Sequence, residues 1–237
     1  MDVELLEYYK ESPVEAVING DAEFGIASSE LILERAKGKK IVVLASIFQN
    51  SPYIFLAKKD SNIENMNKLN NKRIALRRDE TELVLYLKKA NVDIKRNEIT
   101  NLSFSIEPLI DGSVDIISAY STDEPFQLKM LGIDYKIFNP RDSGIDFYGD
   151  SIFTTEEFLQ KNPELTAKFV KESIKGWEYA LNNKKEIIEI ILGKYSKRHS
   201  REHLMFEAEE TEKLIMPEII NIGYINKKRW EKSRRHN

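Results

Sequence analysis

The chain has 237 residues, with 36 lysines and arginines against 39 aspartates and glutamates, and a formal net charge of −3. It contains no cysteine, which excludes disulfides, zinc–thiolate sites, iron–sulfur clusters and a cysteine nucleophile. The near-neutral charge argues against a dedicated nucleic-acid-binding protein, and 41% hydrophobic residues are enough to build a core. The length fits one large domain or two lobes of roughly 100–130 residues.

Membrane and targeting signals are absent from the sequence pattern. The longest apolar runs, such as 41–48, are far shorter than the ~20 residues of a membrane-spanning helix. Residues 1–4 have neither the basic start nor the apolar segment of a signal peptide. Two interpretations remain open at this point, a cytosolic protein or an interior piece of an exported one.

The first part of the chain predicts an alternation of strands and short helices. The β-prone residues Asp2–Tyr8 predict a strand. Ser12-Pro13-Val14-Glu15 is a capping box, which predicts a helix over Pro13–Asn19 that ends at Gly20. The next predicted elements are a strand at Ala22–Ala27, a helix at Glu30–Ala36 that begins after Ser28 or Ser29, and a strand at Ile41–Ser46.

The middle of the chain repeats this pattern, and the last third is mostly helical. Hydrophobic residues at helical or strand spacing, together with Gly and Pro at the ends, define the elements. The predicted strands are Arg73–Leu76, Asn97–Phe104 and Val114–Ala119. The predicted helices are Asp79–Ala90, Ile106–Asp111, Pro125–Leu131, Thr155–Gln160, Pro163–Asn182, Lys184–Tyr195 and Arg201–Met216.

One internal repeat indicates two similar halves. Residues 15–27 align with 107–119, and each copy predicts a helix, a glycine, a strand and a polar loop. The two loops are Ser28-Ser29-Glu30 and 120–124. The alternation of strands and helices predicts mostly parallel sheets, in which ligands bind beyond the carboxyl ends of the strands. Chance similarity is the alternative, because helix–glycine–strand units are common in α/β proteins.

The sequence offers little evidence of a catalytic or metal-binding motif. Dinucleotide-binding and phosphate-binding glycine loops and a nucleophile elbow are missing. His199-Ser200-Arg201-Glu202-His203 matches the pattern His-x-x-Glu-His, but Ser200 is a good N-cap and would leave His199 outside the helix. We therefore interpret this stretch as the start of a surface helix, and no metal site is predicted. The basic run 227–235 is interpreted as a solvated tail, with a phosphate-binding or juxtamembrane patch as the alternative.

Aromatic and acidic residues in the loops are more informative. Segments 48–53 and 146–150 are rich in Gly, Pro and short polar residues, which suits paired crossovers between two lobes. Aromatic faces beside carboxylates suit a flat nitrogen-containing ring. Ser28 and Ser29 at a helix start suit an anion instead. Taken singly, each acid is better explained as a helix cap or a surface charge, but the joint location of these residues at predicted strand ends favours a binding site.

Seven stretches of the chain carry a resemblance to a known family: 12–25, 33–38, 47–52, 118–126, 144–150, 175–180 and 199–208. Together they resemble the thiamine-pyrimidine-synthase-like branch of the type 2 periplasmic binding proteins, which is also SsuA-like. The similarity is strongest to the extracytoplasmic sensor domain fused to histidine kinases or diguanylate cyclases. The family members include uptake receptors for thiamine pyrimidine precursors and synthases with a cysteine-rich metal motif.

The resemblance implies a two-lobed α/β fold that closes like a hinge, each lobe a mostly parallel sheet flanked by helices. Lobe one is expected to comprise residues 1–52 and 150–237, and lobe two residues 53–149. Two crossover segments join them. Family members have a strand and a helix before the segment that begins here at Asp2, so the chain is expected to lack the first strand of lobe one. The expected location is periplasmic or extracytoplasmic.

The expected function is non-enzymatic binding of a small molecule, a thiamine pyrimidine precursor or a similar ring compound, by a sensor of a signalling protein. The alternatives are the binding component of an ABC uptake transporter, a pyrimidine synthase, which the lack of cysteine disfavours, and a degenerate fragment without ligand. The expected partners are a membrane-anchored signalling domain or an ABC permease, with no cofactor and no nucleic acid. The candidate ligand-binding residues are Ser28, Ser29, Glu30, Phe48, Gln49, Tyr120, Glu124, Asp146, Tyr148 and Asp150.

Overall fold

The structure, a computed structural model, describes residues 2–6, 12–77, 80–93, 98–101 and 105–234. The strands are β1 Gly25–Ala27, β2 Ile41–Ser46, β3 Tyr53–Lys58, β4 Arg73–Leu76, β5 Glu98–Asn101, β6 Ile116–Tyr120, β7 Tyr135–Phe138 and β8 Ser151–Thr155. The helices are α1 Pro13–Asn19, α2 Glu30–Ala36, α3 Thr81–Lys89, α4 Glu107–Ile110, α5 Glu124–Met130, α6 Glu156–Lys161, α7 Pro163–Asn182, α8 Lys184–Ile190, α9 Arg201–Ile215 and α10 Lys227–Arg234. Short 3₁₀ turns cover Met66–Lys68 and Pro140–Ser143.

The first helix shows how local sequence sets the ends of an element. The Ser12 Oγ accepts a hydrogen bond from the Glu15 backbone N–H at 3.2 Å, and the helix is closed by Gly20 with φ 83°. This left-handed conformation favours glycine, because a Cβ would clash there. The predicted bounds of α1 are confirmed. The Glu15 carboxylate, however, pairs with Lys39.

The two sheets draw on separate stretches of the chain. The three-stranded sheet has the order β1-β8-β2 and uses residues 25–46 and 151–155. The five-stranded sheet has the order β5-β4-β6-β3-β7 and uses residues 53–138. The two copies of the internal repeat, α1 with β1 and α4 with β6, belong to different sheets. The predicted α/β fold with two sheets and flanking helices is confirmed.

The strand pairing is more mixed than predicted. β8 is antiparallel to both β1 and β2. In the larger sheet β4 is parallel to β5 and β6, whereas β3 is antiparallel to β6 and β7. The prediction of mostly parallel sheets holds for strand direction, because only β3 opposes the other strands of the larger sheet and only β8 opposes those of the smaller one. β3 and β8 follow the two segments that pass between the sheets, and each enters its sheet against the direction of its neighbours.

Some strand predictions fail at the level of local sequence. Residues 2–6 form no hydrogen-bonded strand, and Leu5 and Leu6 are 71% and 58% exposed. A β-prone segment has little stability without a paired neighbour. The remaining predicted strand residues 7–8, and the predicted ends at Asp79, Asn97 and 102–104, lie outside the described residues. Conversely, β3, β7 and β8 were not predicted, and β3 is buried along almost its whole length, so it shows no alternation.

The larger sheet carries a hydrophobic core on each face. Phe55 of β3 packs with Leu83 of α3 on one face, and Leu56 of β3 packs with Leu109 of α4 on the other. Ile32 of α2 also belongs to the first of these cores. The helix that follows β1 of the small sheet therefore packs against the large sheet.

The last third of the chain is helical, as predicted. α7 has the predicted bounds, and α8 continues into a π-helical turn at Ile191–Tyr195. α9 begins after Ser200, whose Oγ accepts a hydrogen bond from the His203 backbone N–H at 3.2 Å. Within the described ranges, no helix combines the length and the apolar composition that a bilayer-crossing segment requires.

Candidate functional site

The loops after β1 and β6 come together between the two sheets. The Ser28 Oγ donates a hydrogen bond to Asp150 Oδ1 at 2.8 Å. Tyr120 ends β6, and the negative charges of Asp150 and Glu30 act on its hydroxyl. The structure thus brings together Ser28 of the loop after β1, Glu30 at the start of α2, Tyr120 at the end of β6 and Asp150 of the segment before β8, all of them predicted to bind ligand.

Two further acids, at the start of α3, join this group. Glu82 is only 2% exposed, and the hydroxyls of Ser29 and Ser51 lie beside its carboxyl. Its Oε2 has no hydrogen-bond partner among the described residues. Glu80 is also buried. We call the four acids the intersheet acid cluster, which consists of Glu30, Glu80, Glu82 and Asp150.

Burial changes the ionisation of this cluster. The loss of water raises the pKa of Glu82 to about 8, and the Ser51 and Ser29 hydroxyls offset only part of the rise. Burial raises the pKa of Glu80 to about 6, against the opposing effects of Ser118 and Arg77. It also raises the pKa of Asp150. Because buried carboxylates are costly unless they are paired, a group that offers N–H donors or positive charge would be stabilised here.

A pair of tyrosines forms an aromatic surface beside the acids. The rings of Tyr53 and Tyr120 lie 5.0 Å apart at an angle of 71°, and their hydroxyl oxygens are 3.4 Å apart. Burial raises the pKa of both phenols, and the charges of Glu30 and Glu80 add to the rise. Both hydroxyls therefore stay protonated near neutral pH and are able to donate. Ring faces, phenol donors and carboxyl acceptors converge at one place.

Glu124 supports the cluster indirectly. Its carboxylate pairs with Arg77 and also accepts a hydrogen bond from the Tyr120 backbone N–H at 2.7 Å. The Arg77 backbone N–H in turn donates to Glu80 Oε2 at 2.8 Å. Burial raises the pKa of Glu124, and the Arg77 charge opposes this rise. Glu124, predicted to contact ligand, holds the end of β6 and Arg77 in place.

The structure does not bring Phe48 and Gln49 to the cluster. Phe48 packs edge-on against Trp177, with ring centroids 6.0 Å apart, in the core under the small sheet. The Gln49 Nε2 donates to Ser46 O at 2.9 Å and to Tyr224 O at 3.1 Å. Both side chains are thus occupied within the protein. Both residues lie between β2 and β3, and their apolar and amide groups face the protein interior.

Asp146 and Tyr148 belong to a second group, made with α10. Arg229 Nη2 donates to Asp146 Oδ1 at 2.7 Å, and the guanidinium lies 4.1 Å from the Tyr148 ring centroid. Tyr148 also stacks on Trp230 at 5.5 Å. We call Asp146, Tyr148, Arg229 and Trp230 the C-terminal brace. The interpretation of this basic run as a solvated tail was wrong for Arg229 and Trp230; residue 235 lies outside the described residues.

The acids that sequence reasoning missed did carry a signal. Glu80 and Glu82 follow β4 within a few residues, so they lie near the carboxyl end of a strand, like the two loops that were predicted. They were assigned only to the start of the predicted helix, where acids are common for another reason, the helix dipole. Arg77, which follows β4 directly, was assigned to no element. Tyr53 and Ser51 were placed at a crossover without a role in the site.

Comparison with known proteins gives the family. Residues 1–187 match the family model described as "NMT1/THI5 like". The chain belongs to the NMT1/THI5-like family. The match covers well over half of the chain and includes every residue of the intersheet acid cluster.

Relatives of this NMT1/THI5-like chain are binding proteins. The riboflavin-binding protein RibY of Chloroflexus aurantiacus is 23% identical over 175 residues, which cover 70% of this chain and 48% of the relative. The formylaminopyrimidine-binding protein of Halalkalibacterium halodurans is 23% identical over 187 residues, 76% of this chain and 57% of the relative. The chain thus spans about half the length of these curated relatives. Their names agree with the prediction of a binding domain and not an enzyme.

Solved structures show the same fold. The putative periplasmic sulfonate-binding protein SsuA from Methylobacillus flagellatus KT superposes with a TM-score of 0.58 at 19% identity. The superposition covers 83% of this chain and 61% of that one. The NMT1/THI5-like chain therefore has the architecture of a type 2 periplasmic binding protein. In this architecture its acid cluster and tyrosine pair lie between the two sheets.

Proposed function

We propose that this chain is a non-enzymatic domain that binds a small nitrogen-containing ring compound between two lobes. The observation that carries the proposal is the intersheet acid cluster, whose buried carboxyls have raised pKa values and lie beside Tyr53 and Tyr120. Ring amines can donate to these carboxyls while the ring packs on a phenol face. A thiamine pyrimidine precursor such as a formylaminopyrimidine has this chemistry, and the names of the relatives support it.

The proposed lobes are residues 1–52 with 150–237, and residues 53–149. The partition of the strands supports this division, because the small sheet draws on the first set and the large sheet on the second. Glu82 and Tyr53 are buried, so a ligand reaches them only when the lobes separate. A ligand that contacts Asp150 of one lobe and Glu82 of the other then favours the closed form.

The proposed role is that of a substrate-binding component whose closed form docks on an ABC permease. Two similarities support this role: the structural neighbour SsuA is the putative periplasmic sulfonate-binding protein of an ABC transporter, and both relatives are binding proteins. The alternative is a sensor domain that passes closure to a membrane-anchored kinase or cyclase, as the sequence resemblance suggests. Both roles place the chain in a periplasmic or extracytoplasmic compartment. A pyrimidine synthase is not proposed, since the cysteine-rich motif of such enzymes has no counterpart in a chain without cysteine.

A thermal-shift screen tests the proposal. The protein is melted with a formylaminopyrimidine, a hydroxymethylpyrimidine, riboflavin and an alkanesulfonate. A ligand at one hundred times its dissociation constant adds about 2.7 kcal/mol, or roughly 5–10 °C for a chain of this size. We expect such a shift with at least one nitrogen heterocycle. A shift with the sulfonate alone, or with none of the compounds, would overturn the proposed ligand class.

A further inference from the structure

Two histidines and an aspartate form a second polar group, distant in sequence but close in space. The metal-ligating atoms of Asp123, His199 and His203 all lie within 4.8 Å of one another. Asp123 lies between β6 and α5, His199 just before α9, and His203 in its first turn. We call these three residues the Asp–His cluster. It joins the part of the chain that carries the large sheet to the helical last third.

The structure corrects the interpretation of this stretch as a surface helix start. Ser200 is the N-cap of α9 and His199 precedes the helix, as predicted. However, His203 is only 5% exposed, and the side chain of His199 is 17% exposed. Both imidazoles turn inward and face Asp123. The N-cap thus brings the two rings together: their centroids lie 3.9 Å apart.

Both imidazoles turn a nitrogen toward the same carboxylate. His203 Nε2 lies 2.9 Å from Asp123 Oδ1, which is close enough for an ion pair, but it is not aligned for a hydrogen bond to this oxygen. His199 Nε2 lies 3.8 Å from Asp123 Oδ2. Two imidazole nitrogens and a carboxylate oxygen that converge in this way are a ligand set for a metal ion.

The surroundings suit a bound cation. Gln127 Nε2 donates a hydrogen bond to Asp123 Oδ1 at 2.8 Å and so orients the carboxylate. Many metal ligands are oriented by such a hydrogen bond from a residue that does not itself bind the metal. The Phe126 ring packs on His203 at 4.7 Å and covers one side. Arg198 lies 3.7 Å from Asp123 Oδ2, but its side chain is 48% exposed and can extend into solvent.

We propose that Asp123, His199 and His203 form a binding site for a divalent transition metal ion of the zinc class. Two imidazole nitrogens and one carboxylate oxygen are ligands that Zn²⁺ accepts, whereas Mg²⁺ and Ca²⁺ prefer oxygen alone. Three protein ligands leave a fourth position for water in a tetrahedral site. Ligand atoms of such a site lie roughly 3.3 Å apart, which small side-chain rotations reach from the present separations. The ion cross-links Asp123 to the start of α9.

A metal titration of the full chain tests this proposal. The protein is treated with a chelator, dialysed, and titrated with Zn²⁺ by calorimetry and with Co²⁺ by visible absorption. We expect one equivalent of each ion to bind, with the d–d absorption that Co²⁺ shows in tetrahedral sites, and no comparable binding of Mg²⁺. Saturating Zn²⁺ should also raise the melting temperature. Absence of stoichiometric Zn²⁺ binding would overturn the proposal and leave the cluster as an ion-pair contact.

Variants locate the site. His199→Ala and Asp123→Asn should each weaken Zn²⁺ binding at least about tenfold. His199 is partly exposed, so its variant is expected to fold even if a His203→Ala variant does not. The matched controls are Asp134→Asn, an exposed acid, and His236→Ala, the third histidine, which lies outside the described residues. Zn²⁺ binding that survives His199→Ala and Asp123→Asn but is lost in His236→Ala would contradict the assignment.

Discussion

Two groups of acids and aromatic rings flank the crossovers, and they differ in how their charges are satisfied. In the C-terminal brace, Asp146 is paired with Arg229, which also covers the Tyr148 ring. In the intersheet acid cluster, Asp150 and Glu82 are faced by the hydroxyls of serines. The same residue types therefore form an ion pair with a cation–π contact in one place. In the other place they form a group of buried carboxyls beside neutral hydroxyls. The difference indicates which group is left for a ligand.

The largest effect on stability is expected at the buried ion pair between Arg77 and Glu124, next to the intersheet acid cluster. The Arg77 and Glu124 side chains are 10% and 3% exposed. Arg77→Met removes the charge and leaves the Glu124 carboxylate buried without its partner. We expect a loss of about 3–5 kcal/mol in the free energy of unfolding, measured by urea denaturation.

A double variant tests whether the loss of stability comes from the buried Glu124 carboxylate. If the loss comes from the stranded carboxylate, Arg77→Met combined with Glu124→Gln should regain much of the stability. Strictly additive losses in the double-mutant cycle would show that the two side chains are not coupled.

The next largest effect is a pH dependence from Glu82. Its pKa is about 8 in the folded protein against 4.5 when unperturbed, so the folded state favours the neutral form. This stabilisation is fully present below pH 4.5 and is lost as the pH rises through 8. Glu82→Gln stays neutral. We expect the variant to exceed the parent in stability at pH 9, by on the order of 2–4 kcal/mol, and to match it more closely at pH 5.

Urea titrations at pH 5, 7 and 9 measure this difference. The control is Glu64→Gln, an exposed acid on the large-sheet side, which should keep the pH profile of the parent. Parallel profiles for the parent and Glu82→Gln would mean that Glu82 ionises normally, and the contrast between the two acid groups would disappear.

A smaller effect is expected in the C-terminal brace. Arg229→Met removes an ion pair with a half-exposed aspartate and a cation–π contact, which together contribute about 1–2 kcal/mol. The exposed neighbour Lys228→Met should change stability by less than about 0.5 kcal/mol. If a variant at Arg229 kept its stability but lost ligand affinity, the brace would belong to the binding site. The two groups of acids would then not differ in function.

Much of the fold was predictable because helix ends are encoded locally. Ser12, Gly20 and Ser200 act through hydrogen bonds and backbone angles within a few residues, and α1, α7 and the start of α9 appear as predicted. Strand direction is not local. Whether β3 and β8 run parallel or antiparallel depends on how the chain enters each sheet, and their own residues carry no sign of it.

The site was predictable only in part, for a similar reason. Rules about strand ends identified Ser28, Glu30, Tyr120 and Asp150, which the structure brings together. They did not distinguish Asp146 from Asp150, because both are loop acids four residues apart. The distinction comes from Arg229, which is distant in sequence and reaches Asp146 only in the folded chain.

Titration calorimetry of two aspartate variants tests whether the ligand binds at the intersheet acid cluster. The ligand found by the thermal-shift screen is titrated into the parent, Asp150→Asn and Asp146→Asn. We expect Asp150→Asn to weaken binding about 10–100-fold, the effect of losing a hydrogen bond to a charged group, and Asp146→Asn to stay within about twofold of the parent. Unchanged affinity in Asp150→Asn together with a large loss in Asp146→Asn would contradict binding at the intersheet acid cluster.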